Sequence, residues 1–208
     1  WAAGPGTVLS FADLGVAGSR AVAELLRREA ETVAAVSTVE RLPAPHDCGD
    51  PFRVGASAEE TPAALPLVLV GHTDTVHPRG SLSERPWRES EGRIYAPGVF
   101  DMKASCALAL EALRACGELG LRPRRPVVLL LTCDEETGSF SGRAPVEEAA
   151  LEAEYVLVLE PPAPGGRAKT ERKGTGLFTL SAEGRAAHAG LEPEKGASAV
   201  HELGRQIE

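Results

Sequence analysis

Runs of positive charge are missing from this 208-residue chain. Its 22 Lys and Arg are outnumbered by 30 Asp and Glu, giving a formal charge of -8, and no basic cluster offsets the deficit. A surface of that sign repels phosphate, so neither nucleic acid nor an anionic membrane is an expected partner. Long apolar runs are missing too. None approaches the roughly 20 residues that span a bilayer, and Trp1 to Arg20 lacks the basic start and apolar stretch of an export signal. Cysteine is limited to Cys48, Cys106, Cys116 and Cys133, scattered without close pairs. That spacing suits neither a disulfide scaffold nor a thiolate zinc site, and it makes the reduced cytoplasm the default location. Aromatics are only 4%, so aliphatic side chains must fill the core.

Hydrophobic residues at 43% and charged residues at 25% place the chain with ordinary soluble globular proteins. The length allows one large domain, or one and a part. Ser19 to Ala35, with Val22, Leu25, Leu26 and Val33 among Arg and Glu, predicts an amphipathic helix. Pro43 to Pro62 reads as irregular loop with room for one short strand. Three compact apolar runs follow, Leu65 to Val70, Pro126 to Leu131 and Tyr155 to Leu159. Apolar at nearly every position, they read as strands covered on both faces. Lys103 to Cys116 is a helix stopped by Gly117, and Ala144 to Leu151 is a short helix.

Strand and helix in alternation predict an α/β fold, a mainly parallel sheet flanked by helices, with ligands beyond the carboxyl ends of the strands. A Pro- and Gly-rich break at Pro161 to Thr170 reads as a hinge. Beyond it, Leu177 to Ala182 predicts a strand and Gly196 to Glu208 a helix. The expected organisation is a catalytic, metal-binding domain over residues 1–170 and the start of a smaller α+β lid or dimerisation domain over 171–208.

Chemistry gathers at those strand ends. In GHTDTV (Gly71 to Val76), alternation puts His72 and Asp74 on one side of the chain, so the carboxylate can orient an imidazole whose other nitrogen binds metal. A hydrogen-bonded histidine in a strand-end loop is the competing reading of that motif. His77 reads as a surface or pocket-wall residue. Asp101, in GVFDMK, taken alone is a helix cap. Taken with the other sites it is a candidate bridging carboxylate, because one Asp can give an oxygen to each of two metals about 3.5–4 Å apart. Glu135 and Glu136, in CDEETGS, diverge from an extended strand end, one toward metal and one toward water. A solvated acidic turn is the alternative, weakened by the apolar strand that leads into it. Glu160 closes an apolar run and needs a partner, either a metal or a cation such as Arg172 or Lys173. His188, in GRAAHAG, is a lone histidine among small residues and by itself reads as structural.

The ordered set HTDTV, GVFDMK, DEETGS, LEP and GRAAHAG resembles the dinuclear zinc aminoacylase and carboxypeptidase family. That family includes glutamate carboxypeptidase, acetylornithine deacetylase and succinyl-diaminopimelate desuccinylase. The resemblance runs from about Leu65 to the end of the chain. It implies two Zn2+ ions per site, cobalt or manganese being accepted by the same donors. It implies that His72, Asp101 and Glu160 hold one ion and that Asp101 with Glu136 holds part of the other. Asp74 would orient His72, and Glu135 would be the base that activates water. His188 would sit on the lid and, in a homodimer, stabilise the oxyanion in the second subunit's site. The implied reaction is hydrolysis of an amide or peptide bond next to a free carboxylate, on a small peptide or N-acyl amino acid. The stretches RKGTGLFTLSAEGRAAHAGLEPEKGASAV and TVHPRGSLSERPW resemble glutamate carboxypeptidases most, which makes C-terminal glutamate the expected leaving residue.

Two departures stand out. Ala104, Ser105 and Cys106 follow the DMK motif where the family has small glycines. The family's last zinc histidine and its substrate-binding arginine have no counterpart, since neither His188 nor His201 matches by motif. The chain begins at Trp1 without a methionine and stops inside a predicted helix, so it is expected to be an N-terminal fragment of a longer enzyme, inactive alone. The competing expectations are an N-acyl amino-acid deacetylase or desuccinylase, and a truncated inactive protein kept for dimerisation or binding.

Overall fold

The structure, a computed structural model, describes residues 16–44, 51–57, 64–78 and 80–207. Cys48 and most of the expected loop between Pro43 and Pro62 lie outside the described residues, as does Glu208. Chain contacts define two compact units, Trp1–Pro162 and Ala163–Glu208. The division falls within the Pro- and Gly-rich stretch.

In the first unit the chain runs through α1 (Val16–Thr32), β1 (Thr38–Arg41), β2 (Phe52–Ala56), β3 (Leu67–His72), α2 (Ser81–Glu84), β4 (Arg88–Ser90) and β5 (Arg93–Tyr95). It continues through α3 (Ala104–Glu118), β6 (Val127–Thr132), α4 (Arg143–Leu151) and β7 (Tyr155–Val158). The main sheet has the order β1-β2-β6-β3-β7. β3 pairs in parallel with β6 and β7, whereas β2 runs antiparallel to both of its neighbours. β1, β6, β3 and β7 therefore share one direction and β2 alone opposes them, the mainly parallel α/β sheet that the alternating pattern predicts. β4 and β5 form a separate hairpin, turned at Glu91 and Gly92, both with positive φ.

β6 is buried at all six positions because helices cover both of its faces. Leu129 and Leu131 join Val22, Leu26 and Ala30 of α1 and Cys106, Ala109 and Leu110 of α3 in one apolar cluster. Val128, with Val68 and Val70 of β3, meets Val146 and Ala149 of α4. Each such Leu or Val contributes about 1.5–3 kcal/mol on burial. The helix α3 does not stop at Gly117. It runs to Glu118 and closes at Gly120, whose φ of 66° lets the Leu121 N–H reach the Cys116 carbonyl at 2.8 Å. Gly117 instead lies where α3 passes the turn after α1: a Cβ there would meet the Ala35 nitrogen at 3.6 Å. α1 ends at Thr32, three residues before the predicted end, because the chain turns back through Val36 N–H to Val33 O before entering β1.

The second unit contains a 3-10 turn at Pro193–Lys195, the helix α5 (Ala199–Ile207) and an isolated bridge between Arg185 and Ala197. Residues 177–182, expected as a strand, form no ladder. A strand needs a neighbour to take its backbone hydrogen bonds, and no described segment pairs with it. Among the described residues, no helix is long and apolar enough to cross a membrane.

Candidate metal centre

Parallel pairing in register brings the carboxyl ends of three strands to one edge of the sheet. His72 of β3 stands opposite Thr132 of β6. The ladder extends one step on each side, through Thr73 N–H to Thr132 O and Leu159 N–H to Val70 O, both at 2.9 Å. Asp74, the 135–136 pair and Glu160 follow directly from those ends.

His72 lies at the centre and is 2% exposed. Its backbone is gripped from below, the amide N–H reaching the Met102 sulfur at 3.4 Å and the carbonyl accepting from the Cys106 thiol at 3.3 Å. Gly71 makes this approach possible, since a Cβ there would lie 3.0 Å from Leu131, 3.1 Å from Cys106 and 3.2 Å from Met102. The imidazole Nδ1 faces Asp74, 3.2 Å from its carbonyl and 3.3 Å from Oδ1. Nε2 points the other way, into carboxylates: Asp101 Oδ1 at 3.2 Å, Glu160 Oε1 at 3.4 Å and Glu135 Oε2 at 3.8 Å. Burial opposes a charge on this ring, but Asp74, Glu135 and Glu160 outweigh it and raise its pKa to about 9.

Asp74 links two strand-end loops. Its Oδ2 accepts the Glu136 N–H at 2.9 Å, and Glu136 Oε1 in return accepts the Val76 N–H at 3.1 Å. Burial works against an ionised Asp74, yet His72 and the Glu136 amide prevail and hold its carboxyl below the usual range. Asp101 stands in an irregular turn before α3, with φ and ψ of -121° and 99°, and it is not the cap of that helix, whose N-cap position falls at Lys103 with no side-chain cap hydrogen bond. Its peptide bond to Met102 is cis. Glu135 and Glu136 open a single 3-10 turn, Glu135–Thr137. The buried Asp134 pins that turn by accepting the N–H groups of Ser141 at 2.6 Å and Gly142 at 3.1 Å. Burial pushes the Glu135 carboxyl upward, with Glu136, Asp74 and Asp101 adding to the shift and His72 opposing it. Burial and then Asp101 do the same for Glu160.

The donors His72, Asp101 and Glu136 lie within 4.8 Å of one another, as do His72, Glu135 and Glu160. One imidazole nitrogen ringed by hard oxygen donors fits a divalent ion such as zinc, manganese or cobalt. The crowding of carboxylates around one ring favours a cation at their focus, and the same field draws a proton onto His72.

His188 lies in the second unit. Its Nδ1 accepts the N–H groups of Gly190 at 3.1 Å and Leu191 at 3.2 Å, so the neutral ring carries its hydrogen on Nε2. His77 Nδ1 lies 3.2 Å from the Arg85 guanidinium, at the surface. Cys106 and Cys116 are free thiols. Lys103, read from the sequence simply as the start of a helix, is 1% exposed. Its Nζ donates to the Asp74 carbonyl at 3.5 Å, a long contact. Burial pulls its pKa down, against the charges of Asp74, Glu136 and Asp101 among others. The sequence signal for it was its place two residues after an acidic site residue and at the edge of an apolar helix.

The model for peptidase family M20/M25/M40 matches residues 68–202. Carboxypeptidase G2 of Pseudomonas sp. (strain RS-16) is 36% identical over 137 residues, covering 65% of this chain and 33% of that protein. Acetylornithine deacetylase of Myxococcus xanthus is 32% identical over 145 residues, covering 68% and 36%. The chain thus spans about a third of the length of these curated relatives. Among solved structures, aminopeptidase PepT from Bacillus cereus ATCC 10987 superposes with a TM-score of 0.66 at 19% identity, over 94% of this chain and 52% of that one. A tripeptidase from Staphylococcus aureus gives 0.65 at 20% identity, over 88% and 49%. At such identities these two likenesses speak for the fold.

Proposed function

The chain belongs to peptidase family M20/M25/M40, and on that premise we propose that it forms part of a metal-dependent hydrolase that cleaves an amide or peptide bond next to a free carboxylate. The observation that carries this reading is the convergence of Asp101, Glu160 and Glu135 on Nε2 of the buried His72. His72, Asp101, Glu136 and Glu160 would hold the metal, two zinc ions in the fullest form of the proposal. A divalent ion there would supply a Lewis acid that polarises the scissile carbonyl and acidifies water.

The chain's own groups then have distinct tasks. Asp74 faces Nδ1 and keeps Nε2 turned toward the carboxylates. Glu135, half exposed and with its pKa raised, takes a proton from the attacking water at a carboxylate oxygen and delivers it to the leaving nitrogen. His188, with a hydrogen on Nε2, suits the role of oxyanion donor, reaching a second copy's site in a homodimer. Under this reading residues 1–170 belong to the catalytic domain and 171–208 open the lid or dimerisation domain, in the cytoplasm.

For the substrate we favour a C-terminal glutamate or similar residue, in keeping with the 36% identity to carboxypeptidase G2. Relatives that are acetylornithine deacetylases, 31% and 32% identical, support an N-acyl amino acid as the second reading. Metal content by elemental analysis of the full-length protein, with turnover of N-acyl glutamates against N-acetylornithine, tests both. Bound zinc with faster glutamate release is the expected result. Absence of any bound divalent metal would overturn the proposal, and preference for N-acetylornithine would select the second reading.

A further inference from the structure

Lys103 is an unusual neighbour for a cation site. Its side chain is enclosed at 1% exposure, and an ammonium is buried this deeply only when something repays its lost hydration. The space it occupies is tight: a Cβ on Gly98 would lie 2.8 Å from Nζ and 3.1 Å from Thr75 Oγ1. At Gly98 φ is 68°, so glycine satisfies both the backbone and the ammonium. Nζ meets the Asp74 carbonyl at 3.5 Å. Asp74 is the residue that also faces His72 Nδ1 and binds the Glu136 amide.

We propose that Lys103 is the built-in countercharge of the carboxylate cluster, holding Asp74, Asp101, Glu135, Glu136 and Glu160 together before metal arrives and moderating how tightly the site takes a divalent cation. The inference rests on the metal-site reading above. Five carboxylates carry five negative charges. Two divalent ions would answer four of them, and the Lys103 ammonium answers the fifth. Without metal, the ammonium shares with the His72 ring, which Asp74, Asp101, Glu135 and Glu160 surround, the relief of the mutual repulsion of the five. Because like charges repel, a fixed cation beside the site also weakens the binding of a second cation.

The two effects make opposite demands on a variant, which separates this role from packing or hydrogen bonding. Lys103→Met keeps length and removes charge. Lys103→Gln removes charge but keeps an N–H donor for the Asp74 carbonyl. In the full-length protein stripped by chelator, both variants are expected to unfold at lower temperature than the parent, and zinc is expected to restore most of the loss. In competition titrations against a chelating dye, both are expected to bind zinc about tenfold more tightly than the parent. Should Lys103→Met fold only with zinc, that outcome supports the proposal, and Lys103→Gln supplies the affinity.

Equal or weaker zinc binding in both variants would overturn the countercharge role while leaving the metal site intact. So would a loss of stability that is the same with and without zinc. Weakening in Lys103→Met with parental affinity in Lys103→Gln would mean that the hydrogen bond to Asp74, not the charge, is what matters. A parent protein that binds no zinc would instead bring down the metal-site reading itself.

Discussion

Replacing Glu135 and Glu136 one at a time separates two adjacent carboxylates to which the structure gives different surroundings. The Glu135 side chain is 47% exposed, and its Oε2 stands 3.8 Å from His72 Nε2. Glu136 is tied on both sides, its Oε1 accepting the Val76 N–H and its own N–H bonded to Asp74. Glu135→Gln should therefore change folding stability by no more than about 0.5 kcal/mol. Loss of a general base should slow turnover by about 10²–10⁴-fold, equivalent to roughly 3–5 kcal/mol of barrier.

Glu136→Ala removes a proposed ligand and leaves the Val76 N–H without its acceptor, at about 0.5–1.5 kcal/mol for the hydrogen bond. Its metal content should fall together with its activity. Elemental analysis after dialysis and turnover of an N-acyl glutamate, on the full-length protein, give the two readings. Glu135 also belongs to a ligand-compatible group with His72 and Glu160, so its role is open to direct refutation. Equal metal loss in both variants would make Glu135 a ligand and end its assignment as the base.

Gly71→Ala should destabilise the protein by about 1–3 kcal/mol, because the new methyl meets Leu131, Cys106 and Met102 at 3.0–3.2 Å. Chemical denaturation measures it, and an unchanged midpoint would refute the close approach beneath His72. Leu129→Ala, at a fully buried position, should cost about 2–5 kcal/mol by the same assay, and a loss below 1 kcal/mol, on the order of a surface change, would contradict its place in the core. The His72 pKa of about 9 lies above its unfolded value near about 6.5. In chelator-stripped protein its contribution to stability is thus complete below about pH 6.5 and is lost as pH rises through about 9. Denaturation midpoints should fall across that window and flatten in Asp74→Asn; a rise would show that the carboxylates do not hold a proton on the ring.

The central strands are legible because the physics that buries them is written locally. β6 is covered on both faces, so Pro126 to Leu131 is apolar almost throughout, and β3 beside it is mostly buried. β7 is equally apolar but stands at the sheet edge with all four residues exposed, so the expected cover on both of its faces is not found among the described residues. The antiparallel edge left no such mark. β1 is the polar tetrapeptide Thr38–Arg41, mostly exposed at the sheet margin. β2 buries only Phe52, Val54 and Ala56, with the exposed Arg53 and the half-buried Gly55 between them, so a one-sided strand stood inside a stretch rich in Pro and Gly. The helix end at Gly120 rather than Gly117 has a similar cause. Both glycines satisfy the composition rule, and only the positive φ of Gly120 tells the glycine that closes the helix from the one that stays inside it.

At the site, the sequence singled out candidate ligands that the structure brings close together, and left their connections unread. His72, the 135–136 pair and Glu160 follow apolar strands, and parallel register turns that shared position into spatial proximity. The links that fix their orientation span long separations and carry no local pattern. Asp74 holds the amide of Glu136, 62 residues away, and the Met102 sulfur and Cys106 thiol hold the backbone of His72 from 30 and 34 residues away. Cys106 belongs to the stretch 104–106, where the resemblance leads to an expectation of small glycines, and its thiol takes the His72 carbonyl as acceptor. The thiol at that departure is thus accommodated by a hydrogen bond to the central histidine. Cys106→Ala should for that reason loosen His72 more than it loosens the helix, lowering metal affinity while leaving the helical circular dichroism unchanged.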